Sequence, residues 1–225
     1  VELSQLLPWI MYGTPSGTAP VTYPLADLAP QPRFVTIDRG PKVATYSGCQ
    51  VNRATIRGSQ GEPLDITLDV IGQDETLAAS GSFPALTLDT TTGPFIFTDL
   101  SLSINAATYN ARDVEIIIDN VIDAGRFFNS QTLVSAIAMD RHVSFTCHLP
   151  YGDASAVYGL GQGGTAVTAT FTGGGTSVLT LNMGKVAFPR KSPSYAAGRA
   201  EEMIPMQGIA YAQGATRELV TTLHN

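Results

Sequence analysis

Gln50–Ile71 reads QVNRATIRGSQGEPLDITLDVI, and its second half alternates without a break. Leu64, Ile66, Leu68 and Val70 share one parity, while Asp65, Thr67 and Asp69 share the other. Four apolar residues at period two, closed by Gly72, predict a strand with one buried face. The first half sets Ala54 and Ile56 against Arg53, Thr55 and Arg57. Folded back around Gly58–Pro63, the two halves predict an antiparallel hairpin with Arg57 opposite Asp65, Thr55 opposite Thr67 and Arg53 opposite Asp69. The same register sets Ile56 opposite Ile66 and Ala54 opposite Leu68. Burying a large aliphatic side chain stabilises by roughly 1.5–3 kcal/mol, against about 0.2–1 kcal/mol for a cross-strand charge pair. The apolar row therefore holds the hairpin down and the charges choose its register, since a one-residue slip inverts both faces. With arginines matched to aspartates, the polar face is expected to be nearly neutral.

The 225 residues suffice for one sizeable core. No apolar run approaches the roughly 18–20 residues that span a bilayer as a helix, so no membrane partner is expected. Residues 62–123 hold eleven acids and one base, Arg112, whereas residues 1–61 and 141–225 each carry a net +2. The formal net charge is −6. Nucleic-acid binding by phosphate neutralisation needs a dense basic patch, which the sequence lacks. An acidic centre between basic ends suits solvated surface, or identical subunits meeting head to tail through complementary patches. Cys49 and Cys147 form no CxxC or CxxH spacing and read as buried reduced thiols.

Residues 1–12 put Leu3, Leu6, Leu7 and Ile10 at helical spacing, with Pro8 expected to break the helix or sit in its first turn. Residues 13–33 carry many prolines and little periodicity and read as an extended arm. Residues 72–94 and 189–200 read as long loops, the latter with Arg190, Lys191 and Arg199. Strands are expected at 34–38 and 43–46, at 95–104 with a bulge near Asp99, at 114–120, 133–137 and 141–147, at 165–171 paired with 177–183, and at 203–212 and 218–223. A short helix is expected at 153–159 with Asp153 as its N-cap. The count, about ten or more strands with one or two short helices, predicts a mainly β fold, a single domain over 1–225 built as an antiparallel β-sandwich or barrel.

Motifs of chemistry are scarce. Gly159–Gly164 matches GxGxxG formally, but a helix is expected before it and a strand after it, the reverse of a dinucleotide fingerprint. His142 and His148 share one strand about 20 Å apart, too far for one metal. No HExxH, GxSxG or P-loop occurs. Asp119 with Asp123 is the one carboxylate pair considered for glycoside hydrolysis, and Trp9, the single tryptophan, sits in the expected helix rather than on a platform. No enzyme activity, cofactor or metal is expected.

The helix ending Met11-Tyr12-Gly13, the proline-rich arm, FVTIDRG at 34–40, YSGCQVNRATI at 46–56 with its return GEPLDITLDVIG, PFIF at 94–97 and VEIIIDNVID at 114–123 resemble, in this order, the tail tube (major tail) proteins of long-tailed bacteriophages. The likeness runs from about Gln5 to Leu223. Members often carry a further segment ahead of the helix, whereas this sequence starts at the helix, its one departure from the pattern. The resemblance implies a structural subunit that forms rings, hexameric ones in this family, stacked around a channel for DNA. It implies contacts with other copies, the tape-measure protein and other tail proteins, assembly in the host cytoplasm and a place in the virion tail. It makes Arg53, Arg57, Asp65 and Asp69 candidates for the channel face, and Arg190, Lys191 and Arg199 candidates for subunit contacts. An acidic channel would repel DNA phosphates and let the duplex slide. The alternatives weighed are a capsid-decorating or baseplate β-domain and a carbohydrate-binding β-sandwich.

Overall fold

A computed structural model describes residues 3–26, 32–85, 95, 100–125, 137–160, 163–173, 177–189, 203–214 and 217–224. Its centre is the long strand β3 (Lys42–Ser59), which follows helix α1 (Leu3–Met11), β1 (Val21–Pro24) and β2 (Arg33–Asp38). After it come β4 (Asp65–Ile71), β5 (Asp74–Ala79), β6 (Leu100–Ile104), β7 (Ala107–Tyr109), β8 (Asp113–Asp119), β9 (Ile122–Asp123), β10 (Ile137–Ala138) and β11 (His142–Pro150). Helix α2 (Tyr151–Gly159), β12 (Thr165–Thr172), β13 (Val178–Ala187), β14 (Met203–Ala210) and β15 (Val220–His224) complete the described chain.

The hairpin of β3 and β4 forms in the expected register: Arg57 faces Asp65, Thr55 faces Thr67, and Arg53 faces Asp69. A register shift at Asn52 then re-phases the pair. The extra residue is used, because Asn52 Oδ1 accepts from Ile122 N at 2.9 Å and Asn52 O accepts from Asn120 N at 2.7 Å. The return strand does not end at Gly72. After a kink, β5 pairs with the first half of β3 from Ser47 to Lys42, so part of the stretch read as a loop over 72–94 is strand. The kink is fixed by Gly48, whose φ of 63° suits glycine and where a Cβ would fall 2.0 Å from Gln73 Oε1. The arm over 13–33 likewise contains β1, which pairs with β15. Both corrections have one cause: short edge strands are held by backbone pairing and need no strong hydrophobic alternation.

Thirteen strands form one open antiparallel sheet, in the order β2-β3-β8-β11-β14-β13-β12-β6-β7, with β4 and β5 also on β3, and β15 on β13. Strands β9 and β10 form a separate pair. The sheet has two arms. The first, β4-β3-β8-β11-β14, meets the second, β13-β12-β6 with β15 and β1, through only two residue pairs, Val186 with Ala210 and Ala187 with Ile209. Gly208 sits at this corner, where a Cβ would lie 2.4 Å from Val186 Cγ1. Both arms bury their alternate residues in one cluster, Ile56, Ile116, Phe145 and Met206 from the first and Ala169, Leu181 and Leu223 from the second. Phe145 stands edge-on to Phe188 at 6.3 Å between ring centroids.

Helix α1 runs unbroken through Pro8, against expectation. Losing one helical hydrogen bond is outweighed by burial of Leu7, Trp9, Ile10 and Met11 in the core. Trp9 Nε1 donates to Cys49 O at 3.1 Å, and Tyr12 Oη donates to Val51 O at 2.8 Å, which docks the helix on β3. Asp153 lies in the first turn of α2 rather than capping it, with Pro150 at the N-cap. There its carboxylate still complements the helix dipole. The bulge expected near Asp99 and most of the strand expected over 133–137 fall outside the described residues.

Candidate functional site

The face that the first arm turns away from the core carries charge in rows. One row crosses five strands as Asp65, Arg57, Glu115, Thr146 and Gln207. A second crosses four as Asp69, Arg53, Asp119 and His142. Between them runs an uncharged row of Thr67, Thr55, Ile117, Ser144 and Ile209. The alternation explains the arrangement, because the intervening residues Val114, Ile116, Ile118, Val143 and Phe145 are all buried.

The four candidates Arg53, Arg57, Asp65 and Asp69 therefore lie together on one surface. Strand β8 adds what the hairpin alone did not reveal, placing Glu115 and Asp119 on the far side of each arginine. Arg53 Nε lies 3.8 Å from Asp119 Oδ2. With four carboxylates against two guanidiniums, the surface is acidic rather than nearly neutral. A sequence signal existed in the outward parity of Glu115 and Asp119, but only knowledge that β8 is β3's second neighbour could place them there.

At one end of these rows, His148 Nδ1 lies 2.6 Å from Asp113 Oδ1, beside Arg57, Ser59, Glu62 and Arg112 in a polar recess of about 420 Å³. His142 pairs with Asp140 at 3.5 Å. Behind the opposite end is a buried polar node. Asn120 Nδ2 donates to Val51 O at 2.9 Å, Arg141 Nε donates to Asn120 Oδ1 at 2.7 Å, and the Arg141 guanidinium stacks 5.2 Å from the Tyr12 ring centre. Arg141 also donates to Ala26 O. Burial pushes the Tyr12 phenol up to about 12, opposed by Arg141 and Asn120.

The second arm turns a different surface outward. Thr22, Thr222, Thr180, Thr170 and Ser101 form one row across five strands. Val220, Asn182, Thr168, Ser103 and Thr108 form another.

Features associated with chemistry resolve into structural roles. Asp119 pairs with Arg53 and accepts from Val121 N, while Asp123 accepts from Gly125 N. Trp9 is buried and offers no sugar platform. Cys49 and Cys147 are free and buried, and burial pushes both thiols up. Among the described residues no three His, Cys, Asp or Glu side chains cluster as metal ligands. No described helix is long and apolar enough to cross a membrane. The glycine stretch follows α2 and precedes β12, the wrong order for a phosphate-binding turn. Arg190, Lys191 and Arg199 lie outside the described residues.

Compared with family models, residues 1–213 match the one described as phage tail tube protein. A search of curated proteins gave no match.

Proposed function

The chain belongs to the phage tail tube protein family, a structural and not an enzymatic family, and from this premise we propose how it builds a tube. The subunit, a single β domain over 1–225, assembles in the host cytoplasm into rings, hexameric by the family resemblance. The rings stack into the tail tube of the virion around the tape-measure protein. The charged face of the first arm lines the channel, with Arg53, Arg57, Asp65 and Asp69 on its wall. DNA passes during ejection without specific binding. Arg190, Lys191 and Arg199 serve subunit contacts.

The observation that carries this reading is the charged face, bounded at one side by β4, whose one strand partner among the described residues is β3. A sheet with an unpaired edge can be continued by another copy, so that one face becomes a continuous wall. Four carboxylates to two arginines repel phosphate on balance, while the guanidiniums keep the repulsion short-ranged at physiological salt. Negative-stain microscopy of the purified full-length chain is expected to show rings and tubes with a central channel. A chain that stays monomeric across concentration and salt overturns the reading.

A further inference from the structure

We infer that β4 and the apolar hollow beside it seat a second copy of this chain, through that copy's residues 189–200. The inference rests on the tube reading and names one of its joints.

The seat is built where the open sheet leaves its core half-covered. Ile56 and Ala54 are buried on β3, yet their cross-strand partners Ile66 and Leu68 on β4 are only half-buried. Val70, farther along the same row, is 39% exposed. Beyond it lies a hollow of about 620 Å³ lined by Trp9, Val35, Ile37, Tyr46, Cys49 and Val70. Ile37 and Leu77, which share a row with Ala44 on this projecting part of the sheet, are 46% and 55% exposed. An apolar row beside a strand edge that has no strand partner among the described residues is the arrangement that strand addition uses, and monomers rarely leave such patches uncovered.

Charge selects the occupant. Residues 70–79, beside the hollow, carry Asp74 and Glu75 and no base. Both line the hollow; Arg39 pairs with Glu75 at 3.2 Å, and Asp74 has no ion-pair partner among the described residues. Residues 189–200 carry Arg190, Lys191 and Arg199 and no acid, with Tyr195, Ala196 and Ala197 between them to enter an apolar hollow. No stretch of this length outside its immediate surroundings holds three bases without an acid.

Reach requires that the occupant come from another copy. The segment is tethered to β13 and β14, and β14 lies four strand spacings from β4, about 19 Å. Met203 starts β14 beside Pro150, at the end of the sheet away from Val70. Two legs of about 30 Å each would be needed to reach the hollow and return, more than the roughly 50 Å that fully extended residues 189–203 can supply.

The test places a photocrosslinking phenylalanine analogue at Val70 of the full chain, irradiates before and after assembly, and maps the joined peptides. Intermolecular links to 189–200, present in tubes and absent from monomers, are expected. Tubes whose links fall elsewhere, or within one chain, overturn the seat alone. A chain that forms no rings overturns the tube reading and the seat with it. Asp74→Arg is expected to raise the concentration for half-assembly about tenfold, and Arg190→Asp with Lys191→Asp to restore it. No restoration, with melting unchanged in both variants, counts against the pairing.

Discussion

The two arms of the sheet share a core and differ in what they turn outward. The first arm shows rows of arginines flanked on both sides by carboxylates. The second shows rows of threonine, serine and asparagine, and Lys185 is the single Lys, Arg, Asp or Glu in its described strands. Inward, the arms are alike, with apolar residues at period two that are buried except along the edge strand β4. Cross-strand charge pairs and threonine pairs each contribute roughly 0.2–1 kcal/mol, so stability gives no reason to choose one over the other. On the proposed tube reading, the difference lies in what each face meets. A charged wall suits a polyelectrolyte sliding past, and a hydroxyl surface suits water or a neutral neighbour.

The largest expected effect tests the shared half of the comparison. Phe145→Ala removes a fully buried ring that contacts Phe188 between the arms, and should cost about 3–5 kcal/mol in denaturant unfolding. A single cooperative transition is expected. Two transitions would mean that the arms fold separately. Gly208→Ala forces a methyl against Val186 at the corner joining the arms and should cost about 1–3 kcal/mol. A neutral result would show that the corner can open.

The next effect concerns the anchor behind the charged arm. Tyr12→Phe removes the hydrogen bond to Val51 O, a loss of about 1 kcal/mol. The phenol's pKa is raised on folding to about 12 from its ordinary 10, so its contribution is present below pH 10 and is lost as pH rises toward 12. Melting temperature should fall over that window in the parent chain, and less steeply in the variant. The smallest effects belong to the outward faces. Arg53→Gln should change stability by about 0.2–1 kcal/mol, and Thr180→Arg by no more than about 0.5 kcal/mol. A loss of several kcal/mol from Arg53→Gln would mean that the charged rows hold the fold, and the comparison would fail.

The charged arm was legible in the sequence to the extent that its strands alternate. Leu64–Val70 and Val114–Ile118 keep a strict period of two, so the hairpin register and the buried face of β8 follow from the residues alone. The arginines' second carboxylates were not legible, because the adjacency of β3 and β8 joins residues about 60 positions apart in sequence. Nor were β1 and β5, whose residues are mostly exposed or half-buried and are held by backbone pairing. The extent of α1 through Pro8 is not legible locally, because it depends on the core that Leu7, Trp9 and Ile10 enter. Threonines in β12, β13 and β15 were visible, but their alignment into rows depends on four strand pairings that no local pattern encodes.

Whether the charged face lines the channel is tested most directly by a cryo-electron microscopy reconstruction of assembled tubes. Arg53, Arg57, Asp65, Asp69, Glu115 and Asp119 are expected on the channel wall, with Thr22, Thr170, Thr180 and Thr222 turned away from it. A tube whose wall is the threonine surface, with the charged rows outside, would overturn that assignment.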